Sequence, residues 1–375
     1  MSEADVTGGR AGKMTRLYFN PAVTTSIPGA SVFNRDDAEY LRALFAHAPG
    51  FALTPLKKLD HLAAQLGIGE IWAKDERNRW GLGSFKSLGG AYAVVSLAAE
   101  ALSVSPAEIF AGRAPKASAM TAAAATAGNH GRAVAFGAHL VGARAVIFVY
   151  GDVPEPQIAA IAALGAQIVT VAGDYEAACR AAEDACEKQG WILVSDVAGD
   201  GYTDIPQRIM RGYSVLAAEA MAQLPAAPTH LFLQAGVGGM ATPVAALFAN
   251  ISLPPPTVTV VEAATVPCLM ESARRNIFTR TESSGHTNLN RLDCPSPSTT
   301  AWPILRALAS AFVGVENDVA LEAVTLLARD GLATTPTGAA GLAGLLALSN
   351  EPGAFDRLGL NAQSRVLIVL TEQAL

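Results

Sequence analysis

Short aliphatic runs alternate with longer stretches of helical period along nearly the whole chain. Bounded by Gly, Pro and polar clusters, the short runs predict buried strands over Ser118–Thr121, Ala145–Val149, Gln167–Val171, Ile192–Val194, His230–Gln234, Thr257–Val261 and Arg365–Leu370. The stretches between them predict helices over Gly89–Leu102, His130–Leu140, Glu155–Ala163, Tyr175–Gln189, Ile205–Gln223, Ala241–Phe248 and Ala340–Leu348. Strand and helix in alternation predict an α/β fold of mainly parallel sheets flanked by helices. Gly165, between the helix ending at Leu164 and the next strand, suits the left-handed residue that closes a helix. The polar stretch Arg275–Pro303 has no period, and reads equally as a loop lining a site or a plain surface excursion.

Composition sharpens this picture. A chain of 375 residues points to two compact units, and 51% apolar residues supply large cores. The net charge of −6 gives no electrostatic reason to expect nucleic acid or an anionic membrane as partner. No apolar run reaches the ~18–20 residues that cross a bilayer. The N-terminus, MSEADVTGGRAGKMTR, lacks a secretory core and reads as a solvated tail, so a cytoplasmic location is expected. Four cysteines do not make a disulfide scaffold. Cys179 and Cys186 fall on one face of a helix, where small thiols pack well. There is no CxxC or HExxH, and the six histidines are scattered, so no metal site is indicated.

Three turns carry candidate chemistry. In Gly83-Ser84-Phe85-Lys86 a lysine follows a glycine-broken turn and opens a helix. The positive end of the helix dipole disfavours its ammonium form, which predicts a lowered pKa, as an imine-forming lysine requires. In Thr126-Ala127-Gly128-Asn129-His130 the backbone amides can form a nest for a carboxylate. In Gly236-Val237-Gly238-Gly239-Met240, after an apolar strand, backbone amides can cradle a phosphate. A dinucleotide site would want this loop after the first strand with an acid about twenty residues on, and neither holds here.

In that order the three turns resemble fold-type II pyridoxal-phosphate enzymes such as threonine dehydratase and tryptophan synthase β. The chain is most similar to the diaminopropionate ammonia-lyase family. The likeness rests on Arg79-Trp80-Gly81-Leu82-Gly83-Ser84-Phe85-Lys86, Gly128-Asn129-His130-Gly131-Arg132, Gly201-Tyr202-Thr203-Asp204-Ile205-Pro206, Leu233-Gln234-Ala235-Gly236-Val237-Gly238, Ala301-Trp302-Pro303-Ile304-Leu305 and Gly338-Ala339-Ala340-Gly341-Leu342. It implies a large cofactor-binding domain from residues 1–90 and 203–375 and a small domain, 91–202, bearing the Asn turn. It implies pyridoxal 5′-phosphate carried on Lys86, with Phe85 near its ring and Asn129 on its 3′-oxygen. Gly236, Val237, Gly238, Gly239 and Met240 would hold the phosphate, and Thr371 would meet the pyridine nitrogen. Asp196 matches an acidic active-site residue of the family. Substrate would meet Thr126, Ala127, Gly128, Asn129, His130 and Arg291. A homodimer acting on a small amino acid is expected from the resemblance alone.

Departures qualify the likeness. The family commonly has Asp where this chain has Ala127, which implies weakened handling of the D-isomer of its substrate. Thr287–Leu292 replaces a more apolar, Gly-containing segment, and Arg291 stands there in place of a small residue. Arg291 either receives an acidic group of the substrate, or faces solvent or pairs with Asp293 or Glu282. Pro336 stands where a Glu is usual, and Gln373 where a Gly is. Cys268 and Cys294 match two cysteines that can pair in the family, or are two reduced thiols. The expected activity is α,β-elimination of ammonia from 2,3-diaminopropionate, L-isomer preferred. The alternatives are elimination or epimerisation of another β-substituted amino acid such as 3-hydroxyaspartate, and a non-catalytic cofactor-binding relative.

Overall fold

The computed structural model describes residues 16–24, 29–126, 128–151 and 153–374; the N-terminal tail and Ala127 lie outside them. Strands β1 (Arg16–Phe19), β2 (Leu56–Lys58) and β3 (Glu70–Asp75) come first. Next, β4 (Thr121–Ala125), β5 (Arg144–Tyr150), β6 (Gln167–Val171) and β7 (Ile192–Leu193) form a parallel sheet of their own, ordered β6-β5-β4-β7. Strands β8 (His230–Gln234), β9 (Thr257–Ala263), β10 (Ala309–Val315) and β11 (Arg365–Leu370) join the first three in the order β1-β10-β9-β8-β11-β3-β2. Only the outer pairings, β1 with β10 and β2 with β3, are antiparallel among the described residues.

Parallel strands covered on both faces should read as unbroken apolar runs, and the Leu-Phe-Leu of β8 and Val-Leu-Ile-Val-Leu of β11 are fully buried. The alanine strand departs from expectation. The sequence predicts Ser118–Thr121, but the strand is Thr121–Ala125. Alanine is a weak strand former, yet here it is central in the small sheet, where its size lets the helices Asn129–Val141 and Tyr175–Gln189 pack close. Strands β1, β2 and β3 have no comparable signal in the sequence, since they are short edges or carry polar ends. The strand β10, a buried seven-residue run between β1 and β9, also lies outside the predicted elements.

The helix that bears the lysine runs Lys86–Leu102, starting earlier than its apolar pattern because the turn before it also folds inward. It lies against the helix Asp204–Gln223 with almost no room between them. A Cβ at Gly89 would come 2.7 Å from the Ile209 carbonyl oxygen, and one at Gly212 would come 2.4 Å from that of Leu88. Glycine at both positions therefore fixes the height of this helix relative to its neighbour. Gly165 adopts φ +83° after the helix Glu155–Ala162, as its position predicts. The four cysteines are free; Cys186 is buried and Cys179 half-buried.

Candidate active site

The lysine turn is fastened to the end of β11. Phe85 N–H donates to the Thr371 carbonyl at 3.1 Å, and Gln373 N–H donates to that of Gly83 at 3.0 Å. Gly83 sits at φ +77°, where a Cβ would meet the Gln373 amide at 2.8 Å. Lys86 is thus the first helical residue above the carboxyl end of the large sheet, where open α/β sheets bind ligands. Its Nζ donates to Asp196 Oδ2 and lies 5.5 Å from the Phe85 ring centre and 5.9 Å from that of Tyr213.

This contact reverses the expected electrostatics. Burial opposes the Lys86 ammonium, but the Asp196 carboxylate outweighs it, and the pKa is held above the ordinary lysine range instead of below it. Burial likewise opposes ionised Asp196, but Lys86 and then His130 hold its carboxyl well below the usual range. The helix dipole does not decide the outcome, because a full charge in hydrogen-bond contact exceeds the partial charge of a helix end. Asp196 follows β7, and Tyr202 fixes that loop: its hydroxyl donates to the Leu193 carbonyl at 2.7 Å and accepts from Ser195 N–H at 3.0 Å. His130 Nε2 lies 2.7 Å from the Val194 carbonyl and so carries a ring hydrogen. Nδ1 is buried, lacks a hydrogen-bond partner among the described residues, and is 3.9 Å from Asp196 Oδ2.

The glycine loop after β8 forms the opposite wall. A Cβ at Gly236 would come 2.7 Å from Cys294 Sγ, while Gly238, at φ +99°, would meet Leu305 Cδ1 at 2.8 Å. A Cβ at Gly239 would meet only the Asp196 carbonyl, 3.9 Å away, so the loop is packed behind and open toward Asp196. The helix Ala241–Ile251 follows directly, directing the positive end of its dipole at this spot. Glycines crowded from behind, with a helix N-terminus ahead, fit a phosphate held by backbone amides. Cys268 donates to the Gly236 carbonyl at 3.5 Å, so both thiols flank this glycine. Burial, first, and then Asp196 push the Cys294 thiol up to about 12.

At the Asn turn, Thr126 Oγ1 accepts from Gly128 N–H at 3.1 Å and Gly131 N–H at 3.4 Å. The predicted nest is therefore smaller, because the Thr126 hydroxyl takes two of its amides. Anion-facing amides remain at the start of the helix Asn129–Val141. The Asn129 side chain donates through Nδ2 to Glu372 Oε2 and accepts at Oδ1 from Arg132. Glu372 Oε2 also accepts from Arg291 Nε at 2.8 Å, and Oε1 from Thr335 Oγ1 at 2.6 Å. Arg291 thus pairs with Glu372, not with Asp293 or Glu282, and its side chain stays partly exposed. The irregular segment around it lines the site, anchored by Ser298 N–H on the Val237 carbonyl at 2.9 Å and Asn288 N–H on Asn317 at 2.7 Å. Thr371 is buried, its hydroxyl 3.4 Å from Gln234 Nε2.

Lys86, Asp196, Phe85, Asn129, His130, Arg291, Thr371 and the glycine loop therefore converge between the two sheets; Ala127 lies outside the described residues. Glu372 and Tyr213 were not legible as site residues. Glu372 had a signal, being the residue after Thr371 at the end of the last strand, whereas Tyr213 reads as one more core position of a long helix.

The chain matches the family model described as pyridoxal-phosphate dependent enzyme over residues 48–372. It is 33% identical over 355 residues to diaminopropionate ammonia-lyase of Escherichia coli strain K12, covering 91% of this chain and 89% of that one. Two crystal structures of the Escherichia coli diaminopropionate ammonia lyase superpose with a TM-score of 0.87 at 31% identity, each covering 96% of this chain and 94% of the other. One is a complex with D-serine, the other with an aminoacrylate-PLP azomethine reaction intermediate.

Proposed function

The chain belongs to the pyridoxal-phosphate dependent enzymes and, within them, to the diaminopropionate ammonia-lyase family, and we propose that it eliminates ammonia from 2,3-diaminopropionate, preferring the L-isomer. The observation that carries the reading is the Lys86–Asp196 contact beside the open face of the glycine loop. Lys86 would carry the cofactor, Gly236 to Met240 its phosphate, Asn129 its 3′-oxygen and Thr371 its ring nitrogen, with Phe85 alongside. When bound, pyridoxal phosphate supplies an electron sink for the negative charge left on Cα after proton loss.

Lys86 Nζ, once a free amine, takes the Cα proton. Asp196 is held as a carboxylate, which suits it to bind the β-ammonium and not to protonate it. The Cβ–N bond breaks and the β-nitrogen leaves as ammonia. Water then converts the released 2-aminoacrylate to pyruvate and a second ammonia. The Phe85 and Tyr213 rings, 4.8 Å apart, pack beside the Lys86 ammonium. A cytoplasmic homodimer belongs to the same reading, supported by four free thiols and by the resemblance.

The test is 2-oxo acid release from D- and L-amino acids bearing β-amino, β-hydroxyl or β-chloro groups, with Lys86→Ala alongside. Lys86→Ala should lose the borohydride-sensitive absorbance of the lysine-bound cofactor and nearly all turnover. Wild-type protein inert toward every member of the panel would overturn the reading.

A further inference from the structure

The amide of Asn129 is held from both ends by charged side chains. Arg132, three positions on along the helix Asn129–Val141 and so on the same face, donates to Asn129 Oδ1. Asn129 Nδ2 donates to Oε2 of Glu372, which is buried at the end of β11. The same oxygen accepts from Arg291 Nε at 2.8 Å, and Oε1 accepts from Thr335 Oγ1 at 2.6 Å. A guanidinium only donates and a carboxylate only accepts, so these partners permit a single orientation of the amide. Nδ2 carries two hydrogens, and Glu372 takes one of them. The charges do not cancel. Arg291 is matched by Glu372, whereas the hydrogen-bond partner of Arg132 among the described residues is a neutral amide oxygen. Burial, first, and then Arg291 hold the Arg132 guanidinium below its ordinary range, with Glu372 acting against them. One positive charge is thus left over beside Asn129, in a half-buried place where an unmatched charge is costly.

We propose that the anion this cluster awaits is the 3′-oxygen of the cofactor, and that Arg132, Glu372 and Arg291 are positioning residues that act on it through Asn129. The inference rests on the reading above in which Asn129 meets that oxygen. Held as it is, the amide keeps its second Nδ2 hydrogen for the ligand; the reversed amide would set one acceptor against another. Arg132, by donating to Oδ1, polarises the amide and strengthens Nδ2 as a donor. Arg291 compensates Glu372, which would otherwise bring a bare carboxylate toward an oxyanion. The charge left over then favours the anionic 3′-oxygen over the protonated one. Arg291 thereby serves the electronic state of the cofactor and not the reading of substrate.

The test is the absorbance of the holoenzyme without substrate. The lysine-bound cofactor shows a long-wavelength band when its 3′-oxygen is anionic and a short-wavelength band when that oxygen is protonated. The ratio of the two bands is compared at the same neutral pH in wild type, Asn129→Ala, Arg132→Met, Arg132→Lys, Arg291→Met and Glu372→Gln. Arg132→Met and Arg291→Met should each lower the ratio of long- to short-wavelength band ~10-fold, the scale on which a nearby charge moves a proton affinity. Arg132→Lys keeps the charge and should recover most of that loss. Glu372→Gln keeps an acceptor for Nδ2 but removes the negative charge, so its ratio should hold or rise. A merely structural role would lower it along with the arginine variants, and that result would overturn the proposal. Should Arg132→Met fail to fold, the opposite behaviour of Arg291→Met and Glu372→Gln still decides. Arginine variants with an unmoved ratio, beside a lowered one in Asn129→Ala, would also overturn it while leaving Asn129 on the 3′-oxygen. A ratio unmoved even in Asn129→Ala would remove Asn129 from that oxygen, and the proposal with it.

Discussion

Arg79 and Glu219, 140 positions apart in the chain, share two hydrogen bonds of 2.9 and 2.6 Å in a place where neither side chain meets solvent. Glu76 joins them through Arg79, and Lys74 Nζ donates to Glu219 at 2.7 Å, so two cations and two anions are matched with no exposed member. Thr54, whose hydroxyl accepts from Arg79, ties in the segment that leads to β2. The cluster joins β3 and the start of the lysine turn to the helix Asp204–Gln223. It also occupies Lys74, whose ammonium is buried and paired with Glu219.

Removing one member leaves a buried charge without its partner. Glu219→Ala should cost about 3–5 kcal/mol, the usual penalty for breaking a buried ion pair from one side. Urea unfolding of wild type and variant measures it. A change under ~1 kcal/mol would mean that water reaches the cluster in solution.

Asp196 sets the protonation of Lys86, and the sign follows. Its carboxylate raises the lysine pKa against burial, so Asp196→Asn should lower it. Capture of free pyridoxal phosphate by the apo-protein needs the neutral amine, and its pH profile should move to lower pH in the variant. For every tenfold fall in the proton affinity of the lysine, the neutral fraction at pH 7 rises about tenfold. Elimination from diaminopropionate should fall in the same variant, because the β-ammonium loses its anionic partner. An unmoved capture profile would assign the proton on Lys86 to some other group.

The glycine loop works through shape. Gly238 combines φ +99° with a wall 2.8 Å behind its absent Cβ. Gly238→Val must therefore push the loop forward, into the space where the phosphate would be held. Cofactor retained after dialysis should fall ~10-fold or more, a loss on the scale of one charge-assisted hydrogen bond. Full retention would mean that the phosphate is held elsewhere.

Stereochemistry tests the residue at 127. With alanine there and Lys86 on one face of Cα, the L-isomer of diaminopropionate should be turned over well and the D-isomer poorly. Ala127→Asp should raise D-isomer turnover by roughly 10²-fold, the range of a positioned general base. The Escherichia coli enzyme has been crystallised with D-serine, so the comparison can be run on both proteins side by side. Equal wild-type rates on the two isomers would show that residue 127 does not set the preference.

The α/β class, the cofactor family and the three turns were legible in the sequence because each depends on local requirements. Gly83 and Gly238 must adopt positive φ with no room behind them, Lys86 must open a helix, and β8 and β11 must be apolar on both faces. Such constraints act within a few residues and leave a readable pattern. The strand of alanines lies beyond its predicted place because its signal is small size, which serves the helices above and below it and not the strand itself.

Which side chains meet is a property of the fold alone. Lys86 and Asp196 are 110 positions apart, Arg291 and Glu372 are 81, and Asn129 and Glu372 are 243. The order β1-β10-β9-β8-β11-β3-β2 sets the end of β11 beside both the lysine turn and the glycine loop, and the small sheet brings Asp196 and Asn129 to face them. Local pattern is enough to start a helix at Lys86, and from that start a low pKa follows. The folded chain imposes the opposite, because a carboxylate in hydrogen-bond contact acts at short range and full charge, and its identity depends on chain crossings that no local pattern records.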